Sequence, residues 1–296
     1  ARTDHRDLET YREGLIACSA CLGGEIPSYI LNDNLEQAEQ SVRWFKKVFG
    51  DDFYLELQRH KPTVANAAQD TYPKQQLVNK HLIELANRYN VPMIEDDPYG
   101  RLIFEGEMLP PIAALDAQYH ECSNCFDGNV IHTSTFSKIL APGLRIGWVI
   151  APAVVIKKMV QAKQGADLQC STFDQYVAYE LASGDWLQDH IATIRRVYKE
   201  RRDAMIQAFE DFMPEGTSWT TPRGGLFLWL RLPEGCDSLE LFPKAVEEKV
   251  AYVPGVPFYP NDGPRNTMRL NFSATNPEKI REGVRRLSVM IKKSIA

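Results

Sequence analysis

The chain lacks the features that would place it quickly. It has no initiator Met, and Ala1-Arg2-Thr3-Asp4-His5-Arg6 contains no apolar signal core, so the sequence reads as a fragment or a processed product. No apolar run reaches the ~18 residues of a membrane span. Positive charge is not in excess: the formal net charge is −5, which argues against a nucleic-acid partner bound through a basic face. No internal repeat and no low-complexity tract occurs. Cysteine is sparse, six in 296 residues, and scattered, which points to reduced thiols in a cytoplasm. Two of the spacings are Cys-x-x-Cys, at Cys18/Cys21 and Cys122/Cys125, but a zinc ribbon wants its two pairs ~15–20 residues apart. These pairs are far apart and no His stands at ligand spacing, so they read as structural or incidental and no metal site is expected.

What is present is an ordinary globular composition, 44% hydrophobic and 25% charged, in a chain long enough for two or three domains. Apolar residues at three- and four-residue spacing predict helices over 33–50 and 73–90, the first stopped by Gly50. Phe53 to Leu57 is a strand candidate, Arg59 to Thr71 a loop, and Val91 to Ile94 a short buried strand ending in acids. Strands follow over 129–135 and 145–150, then helices over 152–164 and 186–213. Beyond Pro214-Glu215-Gly216, strands over 225–232 and 269–273 alternate with a helix over 242–249. A last helix is capped by Asn276-Pro277-Glu278. The alternation predicts an α/β domain to about residue 185 and a smaller α+β domain after the long helix.

The chemistry concentrates in Thr135-Phe136-Ser137-Lys138-Ile139-Leu140-Ala141-Pro142-Gly143-Leu144-Arg145. A lysine beside two hydroxyls, with an arginine in the following Pro-Gly turn, suits a group that needs both a Schiff base and a phosphate anchor. Asp96 ends a buried strand, where open α/β sheets place their ligands. Tyr99 follows three residues on, and Asp97 is the competing carboxylate. Arg269, in Met268-Arg269-Leu270-Asn271-Phe272-Ser273, is a forked cation on a strand and can clamp a carboxylate. Gly224-Gly225 leads another strand and reads equally as a hairpin turn.

These segments, in this order, resemble the fold type I aminotransferases of class I/II, the 2-aminoadipate aminotransferases among them. The resemblance covers about Leu85 to the C-terminus. It implies pyridoxal 5′-phosphate (PLP) as cofactor, Lys138 as the lysine that carries it, and Asp96 paired with the pyridine nitrogen. It also implies Tyr99 on the phenolic oxygen, Thr135, Ser137 and Arg145 around the phosphate, and Arg269 on the substrate α-carboxylate. The reaction implied is transfer of an amino group between an amino acid and a 2-oxo acid. A carbon–sulfur lyase or an aminocyclopropane-type synthase would use the same Lys138, Asp96 and Arg145. Some transcription regulators carry such a domain behind a winged helix, but no helix-turn-helix or basic helix is read here. About a third of the family's chain precedes its Asp-x-x-Tyr strand. It carries the phosphate-cupping helix, the ring-stacking aromatic, an Asn-Pro-x-Gly segment and much of the homodimer interface, and none of this is found here.

In its place, Tyr11 to Pro27, Trp44 to Gly50 and Phe53 to His60 resemble the PHP domain of the bacterial DNA polymerase III alpha subunit, without the His-x-His that opens its metal site. The domain reading is therefore a PHP-like α/β fragment over 1–90, part of an aminotransferase large domain with linker helix over 91–213, and the small domain over 214–296. The chain reads as a chimera, its first part expected to pack as a separate lobe and its transaminase activity expected to be impaired.

Overall fold

The computed structural model describes residues 4–20, 23–57, 71–121, 128–259 and 263–295. Of the loop expected over 59–71, residues 59–70 lie outside them, as do Cys21, Cys122 and Cys125, while Thr71 opens a helix. The chain divides into two compact units. The first takes the described residues up to 98 and those from 109 to 181; the second takes 99–108 and everything from 182 onward.

In the first unit, α1 (His5–Thr10) precedes β1 (Ala17–Cys18), α2 (Glu25–Leu31), α3 (Leu35–Phe49), β2 (Phe53–Tyr54) and α4 (Thr71–Tyr89). Then follow β3 (Met93–Asp96), α5 (Ile112–Tyr119), β4 (Val130–Thr135), β5 (Gly147–Ile150), α6 (Ala153–Ala166) and α7 (Thr172–Ala182). The start of α3 is fixed by the Asn34 side chain, which accepts from the Gln37 N–H at 3.2 Å, and its end by Gly50 at φ +57°. β1 pairs parallel with β2 in a sheet of their own. β3 pairs parallel with β4, Asp96 opposite Thr133, and β4 pairs antiparallel with β5, Thr135 opposite Gly147. Along β3 burial alternates: Met93 and Glu95 face the core, Ile94 and Asp96 face out.

One hydrophobic core of this unit joins residues on both sides of position 90, with Ile26, Val42, Phe49 and Phe53 packed with Leu82, Val91, Met93, Ile112 and Val130. This corrects the expectation of a separate lobe. The apolar stripe of α3 and the β2 aromatics need an apolar partner, and α4 and the β3–β4 edge supply it. Four helices escaped the sequence reading, among them α1, only six residues long. α2 carries a proline in its first turn, α5 is only about two turns long, and α7 leaves Phe173, Tyr176 and Tyr179 exposed, so it shows no clean apolar stripe.

In the second unit, α8 (Trp186–Phe212) leads to β6 (Ser218–Trp219), β7 (Phe227–Arg231), α9 (Ser238–Glu247), β8 (Val253–Pro254), β9 (Thr267–Asn271) and α10 (Pro277–Ile295). The strands form an antiparallel sheet in the order β6-β7-β9-β8. Leu228 and Leu230 of β7 and Met268 and Leu270 of β9 point into a core closed by Met205 and Phe209 of α8 and by Ile280, Val284 and Leu287 of α10. α10 starts where Asn276 accepts from the Lys279 N–H at 3.0 Å and Pro277 takes the first helical position.

A strap, residues 99–108, belongs to this unit although it follows β3 in sequence. Ile103 bridges Gly224, the N–H groups of Phe104 and Glu105 donate to the Arg223 carbonyl, and the Gly225 N–H donates to the Leu102 carbonyl at 3.0 Å. A Cβ on Gly224 would sit 2.6 Å from the Leu102 oxygen, and Gly225 has φ +78°. The glycine pair therefore serves a close approach of two backbones rather than a hairpin turn.

Candidate active site

In the first unit the site is built on the ends of β3 and β4. Asp96, at the carboxyl end of β3, is exposed and accepts from the Thr133 hydroxyl at 3.1 Å. Asp97 is pinned by its backbone: its N–H donates to the Thr133 carbonyl and its carbonyl accepts from Ser134 Oγ at 2.7 Å. Glu95, on the opposite face of β3, is buried and was not anticipated. It accepts the Ile112 N–H at the start of α5 at 2.9 Å and stands 2.8 Å from His132 Nδ1. Thus β3 is fastened to β4 on both faces, by Glu95–His132 inside and Asp96–Thr133 outside.

β4 runs into the turn that carries Lys138. The Phe136 N–H donates to the Ile146 carbonyl, closing the turn, and Ile139 is buried beneath it. The Phe136 ring lies 4.7 Å from that of Trp148. The Thr135 hydroxyl donates to the Ile146 carbonyl and accepts the Ser137 N–H, both at 3.0 Å, and lies 3.0 Å from Ser137 Oγ. Arg145 closes the group: Nη1 lies 3.5 Å from Ser137 Oγ and 3.0 Å from the Pro142 carbonyl. It has the left-handed backbone φ 54°, ψ 34°, unusual for a residue with a side chain and of the kind that persists where surrounding structure enforces it. Lys138 is half-buried at the centre of this turn. Two hydroxyls, a guanidinium and an amine therefore share one short segment.

The second unit holds Tyr99 and Arg269. Tyr99 opens the strap, its ring 6.5 Å from that of Phe227. The strap is fastened by Arg202 of α8, whose side chain is 3% exposed. Its guanidinium is engaged by both Glu105 oxygens and donates to the Pro222 carbonyl at 2.6 Å, with Cζ 5.1 Å from the Phe104 ring centroid. Nε stands 2.7 Å from Asp203 Oδ1 without hydrogen-bond direction, so that contact is an ion pair only. Arg202 holds the Glu105 carboxyl below the usual carboxylate range, with Lys199 adding to the effect. Arg269, on β9, has Cζ 4.2 Å from the Phe227 centroid and 4.7 Å from the Phe258 centroid. Its Nε is buried, and no group of the described residues accepts from it. Phe227 and Phe258 were missed in the sequence; the available signal was the period of β7, which puts Phe227 on the face of Trp229, the cross-strand partner of Arg269. Among the described residues no His, Cys, Asp and Glu cluster could hold a metal ion, and Cys18, Cys170 and Cys236 are free.

The first unit thus carries a lysine turn at the end of a mixed sheet, and the second a helix-backed antiparallel sheet with a buried arginine Nε that no described group accepts from. Residues 64–287 match the sequence model described as aminotransferase class I and II, and residues 1–60 match that of the PHP domain. The chain belongs to the class I and II aminotransferase family. It is 46% identical over 234 residues to aromatic-amino-acid aminotransferase 1 of Thermococcus litoralis, covering 79% of this chain and 54% of the relative. It is 38% identical to the 2-aminoadipate transaminase of Thermus thermophilus over 219 residues, 73% of this chain and 53% of that one. The structure of Pyrococcus horikoshii kynurenine aminotransferase, solved with PMP, superposes with a TM-score of 0.70 at 40% identity, covering 88% of this chain and 61% of that one. The chain thus spans about half the length of the curated relatives it matches.

Proposed function

We propose that this chain is a PLP-dependent transaminase that moves an amino group between an amino acid and a 2-oxo acid. The observation that carries the reading is the turn in which Thr135, Ser137, Lys138 and Arg145 stand together. Its donors fit a phosphate dianion, which takes a guanidinium and short hydroxyls. The buried Arg269 Nε, without an acceptor among the described residues, fits a substrate carboxylate.

When bound, PLP would supply an electron sink for the carbanion formed at the substrate Cα. The roles proposed for the chain's own groups follow from their chemistry. Lys138 Nζ holds the cofactor covalently and, once released, carries the proton from the substrate Cα. Asp96 pairs with the pyridine nitrogen, its carboxylate held in place by the Thr133 hydroxyl at 3.1 Å. Tyr99 donates to the phenolic oxygen. Thr135, Ser137 and Arg145 hold the phosphate, and Arg269 orients the amino acid by its carboxylate. The partners are small molecules, not nucleic acid.

We also propose that the chain is a chimera. The two family matches meet between residues 60 and 64, earlier than the boundary read near 90. The free thiols suit a cytoplasmic setting, and no helix of the described residues is long and apolar enough to cross a membrane. Borohydride reduction of the PLP-loaded chain, followed by peptide mapping, tests the reading through the identity of the tagged lysine.

A further inference from the structure

The surroundings of Arg269 support a further step, which rests on its assignment above to the substrate carboxylate. Arg269 stands on β9, between β7 and β8. Phe227 reaches it from β7, with Cζ 4.2 Å from the ring centroid, and Phe258 from the turn after β8, at 4.7 Å. Trp229 backs Phe258 edge-on, their centroids 5.3 Å apart, and Tyr99 packs on Phe227 at 6.5 Å. The guanidinium is thus approached by a ring from each side of its strand, while its Nε is buried without an acceptor among the described residues. A cation so placed is attracted by the rings and held in orientation without being neutralised.

We propose that Phe227 and Phe258 are positioning residues for the carboxylate clamp, and that together they make Arg269 selective for planar carboxylates over tetrahedral oxyanions. With the guanidinium carbon over both ring faces, the proposed ligand position is the guanidinium edge. A carboxylate bound there keeps both oxygens in the guanidinium plane, in the forked arrangement Arg favours. A phosphonate at the same edge carries oxygens out of that plane, toward the electron-rich ring faces, where negative charge is repelled.

The test uses the whole chain loaded with PLP. It follows equilibrium binding of L-phenylalanine and of its 1-aminophosphonate analogue through the absorption of the bound cofactor. The wild-type chain is expected to bind the carboxylate at least tenfold more tightly than the phosphonate. Phe227→Leu and Phe258→Leu should each weaken carboxylate binding about fivefold, equivalent to ~1 kcal/mol, and narrow the ratio between the two ligands. Phe227→Tyr, which keeps the ring, should preserve both. Because the Phe258 side chain is 45% exposed, Phe258→Leu decides the matter should Phe227→Leu fail to fold. Carboxylate binding with a ratio that neither substitution moves overturns this inference alone. Failure of the wild-type chain to take up PLP or L-phenylalanine overturns the transaminase reading and this inference with it.

Discussion

Replacing Arg202 by Met should loosen the second unit and change how its stability responds to acid. The Arg202 side chain is 3% exposed and engages both Glu105 oxygens, the Pro222 carbonyl and the Phe104 ring. Breaking a fully buried pair by removing one partner costs ~3–5 kcal/mol. Glu105, with 36% of its side chain exposed and Lys199 3.2 Å away, can rehydrate in part, and Met fills much of the vacated volume. The expected loss is therefore ~2–3 kcal/mol, read as a lower urea midpoint at unchanged slope. The pH dependence adds a second readout. The Glu105 carboxyl is held below its ordinary value, by Arg202 first. A depressed carboxylate stabilises the fold above its unfolded pKa, ~4.3, and that contribution is lost as pH falls through the lower folded value. In Arg202→Met this part of the acid-side decline should shrink. A midpoint within ~0.5 kcal/mol of wild type, or an unchanged acid limb, would refute the view that Arg202 fastens the strap bearing Tyr99.

Gly224→Ala should cost ~1–3 kcal/mol in the same urea assay, since its Cβ would meet the Leu102 oxygen at 2.6 Å; no loss would mean the two backbones are not so close. Glu95→Ala should cost ~2–3 kcal/mol, leaving the Ile112 N–H unsatisfied, and speed amide exchange at the start of α5; unaltered exchange there would contradict the cap. Arg145→Lys should weaken PLP binding about tenfold in a spectroscopic titration, because an ammonium loses the fork; equal affinity would remove Arg145 from the phosphate group.

The lysine turn was legible because its chemistry is contiguous: Thr135, Ser137, Lys138 and Arg145 lie within eleven residues, and hydrogen bonds join the hydroxyls to the turn and to Arg145. The long amphipathic elements α3, α4, α8 and α10 were legible for the same local reason, an apolar stripe, with a capping Asn before α3 and α10. The contacts that depend on distant partners were not. Glu95 reads as one acid in Glu95-Asp96-Asp97, and only the fold brings His132 and the α5 N-terminus to it. Tyr99 reads as part of the β3 segment, yet the strap lies with the second unit because Gly224 lets Leu102 and Ile103 approach and Arg202 grips Glu105. The separate first lobe was misread on a difference of origin. A core forms wherever apolar faces match, and those of α2, α3 and α4 do.

Borohydride trapping tests the central claim most directly. The purified chain is incubated with PLP, reduced, digested and mapped, with Lys138→Ala run beside it. The account predicts one dominant phosphopyridoxyl peptide containing Lys138, lost in the variant. A dominant tag on another lysine such as Lys163, or equal labelling of wild type and Lys138→Ala, would contradict it.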